Sequence, residues 1–190
     1  ALAAALPQCA VINARWLYPS WAAFADELAR RGVAVEAAPQ PVLGAQAASL
    51  LVEPDGAVSF SSLSELLLAG TYKVVGSAFP AQPSGVPFAV VKEQAIAIGR
   101  ACFAHGVFGH VSVAFVVTSA EPRLQAIDLT LRLTAPALNY RFFDFIVGGQ
   151  LDHATGKYLA PADVLVKSSA KLSEVERLHA RERCFVANEL

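Results

Sequence analysis

Residues 125–134 read QAIDLTLRLT, and the fold depends on how this stretch is interpreted. Ile127, Leu129, Leu131 and Leu133 alternate with Asp128, Thr130 and Arg132. Alternation with period two marks a strand, because successive side chains point to opposite faces. One face is then wholly aliphatic, and the other carries a carboxylate, a hydroxyl and a guanidinium in a row. A core strand has no structural need for three aligned polar groups, whereas a site for a metal ion and phosphate uses such a row. A half-solvated strand of an antiparallel sheet gives the same pattern, and the residues alone leave both readings open.

Residues 109–118 form a second apolar run, separated from 124–133 by a short turn-like segment, which predicts a hairpin. With the turn centred on Glu121, paired residue numbers sum to 242. Ala114 then lies opposite Asp128, Ser112 opposite Thr130, and His110 opposite Arg132. Directly opposed residues of an antiparallel pair share a face, so these pairs would line one surface. Pro136 opens a core helix over 137–147, apolar nearly all round through Leu138, Phe142, Phe143, Phe145 and Ile146, and Gly148-Gly149 ends it.

Upstream, the longest helix is predicted over 88–105. Val91, Ala95, Ile98 and Cys102 form its buried stripe, and Gly106 stops it. Gly99 inside it costs about 1 kcal/mol relative to alanine, which close packing against a neighbouring backbone would explain. A Pro- and Gly-rich loop, 80–87, leads into this helix from a strand at 72–77. Residues 48–52 and 57–61 flank Glu53-Pro54-Asp55-Gly56, a strong turn signal, and predict a first hairpin. Residues 64–69 read as a short helical or irregular piece.

Near the start, 9–13 is a short apolar segment. Ser20 is placed to cap a helix carrying Trp21, Phe24 and Leu28 on one stripe, with Gly32 as its stop. Residues 33–37 (VAVEA) read as a strand in which Glu36 is either a solvated edge residue or a site residue. At the other end, 168–183 reads as an exposed helix or linker and 184–187 as an edge strand.

Composition removes several function classes. The chain has 190 residues, 55% of them hydrophobic, a formal net charge of −1 and no methionine. That length supports one good core and is short for two domains. A methionine-free chain opening on Ala1 reads as a fragment of a longer product. The balanced charge and a pI near 6.5 give no electrostatic case for nucleic acid. No apolar run is long enough for a membrane span. Cys9, Cys102 and Cys184 match neither a disulfide framework nor a zinc pattern, which points to a reducing, cytoplasmic setting. His110 and His153 lack a carboxylate or cysteine partner at useful spacing and read as structural or surface residues. His105 fits a helix C-terminus.

Six stretches then line up with one family: FADELARRGVAVEAAP, LLVEPDGAVSF, GSAFPA, IGRACFAHGVFGHVSVAFVV, AIDLTLRLT and FFDFIVGGQLD. Their order resembles that of ATP-grasp domains, in particular the ATP-grasp-like family of IQ-motif-containing protein H and the related domains of peptide ligases. The resemblance covers roughly residues 16–152. It implies an α+β, ATP-grasp-like fold, mostly antiparallel sheet with packed helices, over 1–160, followed by a polar extension over 161–190. In such enzymes ATP lies between two subdomains with its phosphates on magnesium, and an acyl phosphate is formed for attack by an amine.

Carried onto this chain, the resemblance makes Val35, Glu36, Ala37 and Ala38 the adenine-holding hinge. Asp128 and Thr130 fall on the family's metal-binding positions, and Arg132 falls on its phosphate-binding, catalytic arginine. Two departures stand out. The preceding strand usually carries a second acid, and here Ala114 occupies that position. The run SSLSE, 61–65, replaces a Thr-His-Asp-Gln type run and keeps none of its chemistry. A glycine-rich loop with an ATP lysine should also precede this region and is not found in these residues.

Magnesium prefers oxygen ligands in near-octahedral order with one or two carboxylates, so Asp128 alone implies a weakened ATP and magnesium site. The preferred expectation is a nucleotide-binding or regulatory scaffold module of a larger protein. The alternative is an active carboxylate–amine ligase, whose second acid would come from Glu121 or Asp144. The resemblance also implies a cilium or flagellum setting and calmodulin binding, through IQ motifs that do not occur in these residues.

Overall fold

A computed structural model of the chain describes residues 6–8, 12, 16–33, 38–39, 41–69, 73–81, 85–119, 123–161 and 186–188. The segment 9–13, the centre of the expected 33–37 strand, Glu121 and the 168–183 segment lie largely or wholly outside the described residues. The chain divides into two compact units, Ala1–Ala38 and Pro39–Leu190.

The first unit contains helix α1, Trp21–Arg31. Ser20 caps it by accepting a hydrogen bond from the Ala23 amide at 3.2 Å, and Gly32 ends it at φ 75°. Phe24 meets the rings of Tyr18 and Trp21 at 5.2 and 5.7 Å. Glu27 takes ion pairs from Arg30 and Arg31 one turn on.

The strands of the second unit are β1 (Val42–Val52), β2 (Val58–Ala69), β3 (Lys73–Ala78), β4 (Gly109–Thr118), β5 (Arg123–Thr130), β6 (Gln150–Leu151), β7 (Tyr158–Leu159) and β8 (Val186–Asn188). Six of them form an antiparallel sheet in the order β5-β4-β1-β2-β3-β8, and β6 and β7 pair as a small separate hairpin. The expected first hairpin is present. The Glu53–Gly56 turn closes with the Gly56 amide donating to the Glu53 carbonyl at 3.0 Å, and Gly56 sits at φ 90°.

The 64–69 piece is a correction. It continues β2, where Ala45–Ala47 on one side and Lys73–Ala78 on the other pair with it. Its leucines suit a helix in isolation, but two flanking strands supply ladder partners for its backbone groups, and tertiary context overrides the local preference.

Two helices pack on the sheet, α2 (Phe88–Ala104) mainly on β1 and β2, and α3 (Ala135–Val147) on β2 and β1. The core between them holds Leu50, Val52, Phe60, Leu63, Val91, Ala95, Val111, Val113, Phe115 and Phe143. Gly99 is closely packed, but against side chains rather than the neighbouring backbone expected: a Cβ there would meet Val58 Cγ1 at 2.7 Å and Leu50 Cδ1 at 3.2 Å. The expectation for α3 needs revision. Of its predicted core residues only Phe143 is buried, alongside Ala137, Tyr140 and Val147; Leu138, Phe142, Phe145 and Ile146 are exposed. An all-apolar helix gives no signal of which stripe turns inward, and one sheet face can bury only one stripe.

Candidate functional site

The placement of Asp128 follows from the packing of β4. Val111, Val113 and Phe115 point into the helix-covered core. Ser112 and Ala114, between them, must therefore face the other way. Their partners on β5 are Thr130 and Asp128, which share that face. The structure thus sets Ala114 opposite Asp128 and Ser112 opposite Thr130, in the register expected from residue numbers summing to 242.

That register does not run the whole length of the hairpin. A bulge between Ala114 and Phe115 makes Ile127 an extra residue, and beyond it Ala126 pairs with Phe115 and Leu124 with Val117. The bulge returns Leu124 to the core side, where it packs against the main cluster.

Asp128 is exposed and accepts a hydrogen bond from the Thr130 hydroxyl at 3.3 Å. Arg132 departs from the expected row. β5 ends at Thr130, so Arg132 has no place opposite His110; its guanidinium donates to the Leu133 carbonyl at 3.4 Å. Among the described residues no ion pair joins it to Asp128. Nor does Asp144 stand on Asp128's face. It lies in the last turn of α3, on the helix side of the sheet, and accepts a hydrogen bond from the Tyr158 hydroxyl at 2.7 Å. Glu121, Val35, Glu36 and Ala37 lie outside the described residues, and Ala38 is exposed at the end of the first unit.

Following the two rungs inward shows residues that the sequence reading did not single out as a site. Thr130 pairs with Ser112, Ser112 with Ser49, and Ser49 with Ser62. The next rung runs Asp128, Ala114, Ala47, Ser64. A second bulge, at Ser61, turns Phe60 into the core beside Leu50 while Ser62 stays with Ser49 on the opposite face. The period-two spacing of Ser62 and Ser64 was the available signal, hidden by reading 64–69 as a break in the strand.

In these two rungs the only ionisable group is the Asp128 carboxylate. Among the described residues no three His, Cys, Asp or Glu side chains come together as a metal-holding group. If magnesium bound on this face, Asp128 would be its one carboxylate ligand, with Thr130 a neutral oxygen beside it.

The family model described as IQCH-like, ATP-grasp matches residues 1–154. This chain belongs to the IQCH-like ATP-grasp family. Among solved structures, it is similar to a biotin carboxylase–β-γ-ATP complex from Campylobacter jejuni, with 13% identity, TM-score 0.48, and 67% of this chain against 28% of that one. It is also similar to N5-carboxyaminoimidazole synthetase from Staphylococcus aureus complexed with ADP, with 15% identity, TM-score 0.43, and 60% against 28%. A third is N5-carboxyaminoimidazole ribonucleotide synthetase from Thermus thermophilus, with 21% identity, TM-score 0.42, and 55% against 27%. The ATP-grasp chain thus spans little more than a quarter of each of these proteins. No curated protein matches it. No helix among its described residues is long and apolar enough to cross a membrane.

Proposed function

We propose that this chain is the ATP-grasp module of a larger protein, and that it binds nucleotide through a magnesium site reduced to one carboxylate. Membership of the family supports nucleotide as the ligand class. The observation that carries the weakened site is the pairing of Asp128 with Ala114, where a second acid would have to stand to share the ion. Magnesium keeps most of its waters and is held by one or two carboxylates together with substrate phosphates, so a lone exposed Asp128 sits at the lower limit of what the ion accepts. In this reading Thr130 is the neutral neighbour of the metal, and Arg132 meets phosphate from the loop after β5. The segment Val35, Glu36, Ala37 and Ala38 holds the adenine. The role that follows is regulatory or scaffolding, and calmodulin binding and a ciliary setting would belong to the larger protein.

Calorimetry of the chain with ATP, with and without magnesium, tests this. Weak binding with a small magnesium increment, lost in Asp128→Ala, is expected. Absence of binding at millimolar ATP would overturn the nucleotide reading. Tight magnesium-dependent binding accompanied by ADP release would replace it with the ligase.

A further inference from the structure

The rung Ser62–Ser49–Ser112–Thr130 places one hydroxyl on each of four adjacent strands, all on the face away from α2 and α3. Ser62 is 0% exposed, Ser64 1% and Ser49 3%, and their hydroxyl oxygens have no hydrogen-bond partner among the described residues. A buried hydroxyl left without a partner forfeits the hydrogen bond it would make in water, and three side by side are not a feature that packing alone would favour. Cross-strand hydroxyls can bond directly when their side chains turn toward each other, and Ser49 and Ser62 do not. Adjacent strands lie about 4.8 Å apart, while a hydroxyl hydrogen bond spans about 2.8 Å. One water between two such oxygens would bond both at an angle of about 120°, near its preferred geometry. Small polar sites with two to four partners are where proteins keep buried water.

We propose that this rung is a built water site, in which a file of ordered waters bridges Ser62 to Ser49, Ser49 to Ser112, and Ser112 to Thr130. The file has a direction. Thr130 uses its proton on the Asp128 carboxylate, so its lone pairs accept from the water behind it. Each hydroxyl and water further in then donates toward the charge, and Ser64, one rung over, offers the inner end another oxygen. Aligned bonds of this kind polarise one another, and the negative charge at the exposed edge sets their sense. Strand register and burial set this file, whether or not nucleotide binds.

A high-resolution crystal structure of the full chain, paired with thermal unfolding of Ser49→Ala, Ser62→Ala and the double variant, tests it. The expected result is a water within hydrogen-bond distance of both Ser49 and Ser62, with a second between Ser49 and Ser112. Each single variant should lower the melting temperature by about 2–4 °C, and the double should lose less than the sum because both serines share one water. If the hydroxyls are dry and unpaired, alanine will leave the melting temperature unchanged or raise it, and the proposal falls. It falls equally if density shows Ser49 and Ser62 bonded directly to each other or to another protein group.

Discussion

Tyr158 joins two elements through one oxygen. Its hydroxyl donates to the Asp144 carboxylate at 2.7 Å and accepts from the Gly149 amide at 2.9 Å, just past the Gly148 cap of α3. Its ring meets Phe143 at 4.8 Å and Phe79 at 5.8 Å. Burial and the bond to Asp144 push its pKa up to about 12, from an ordinary value of 10.0. A group whose pKa rises on folding contributes stability that is complete below the unfolded value and lost as pH climbs through the folded one. Stability should therefore fall between about pH 10 and 12, and Tyr158→Phe should flatten that part of a pH–unfolding curve. At neutral pH the same variant leaves a carboxylate and an amide without their partner and should cost about 1–3 kcal/mol by urea unfolding. At this scale the sequence was informative where parity decides. Asp128 and Thr130 fell into register because alternation fixes faces, whereas Arg132 did not, because nothing in LRLT announces that the strand stops at Thr130.

Between elements, the contact that governs how closely α2 approaches the sheet is Gly99 on Leu50 and Val58. Alanine in mid-helix gains about 1 kcal/mol in propensity over glycine. Here its methyl would stand 2.7 Å from Val58 Cγ1, and overpacking of a filled core costs about 1–3 kcal/mol. Gly99→Ala should therefore destabilise in denaturant unfolding, and Gly99→Ala with Val58→Ala should recover part of the loss. A stabilised single variant would show that α2 can move away freely. The helix was legible from its apolar period and its glycine stop, and Gly99 from its oddity inside that period. Two features were not. The run 64–69 has no alternation of its own and becomes strand only between β1 and β3. The apolar surface of α3 gave no orientation, and Phe145 is left 86% exposed where a core residue was expected.

For the whole molecule, the sheet carries two different faces. One packs aliphatic and aromatic side chains under α2 and α3; the other sets the hydroxyls of Ser49, Ser62, Ser64 and Ser112 among Ala47, Ala114, Leu66 and Val116 and ends at Asp128 on the β5 edge strand. The hairpins, both sheet-packing helices and the pairing at the site were readable because hydrophobic period, turn chemistry and glycine stops agreed. The serine rung was not, because a face formed by four strands exists only after their registers are set. In the function proposed, the absence of an acid opposite Asp128 limits magnesium binding. Restoring the acid is the most direct test: calorimetry of ATP binding with and without magnesium, in the natural chain and in Ala114→Asp. A pair of carboxylates facing each other across β4 and β5 should raise the magnesium-dependent increment in affinity at least tenfold, about 1.4 kcal/mol. An unchanged increment in a folded Ala114→Asp variant, or strong magnesium dependence already present in the natural chain, would contradict it.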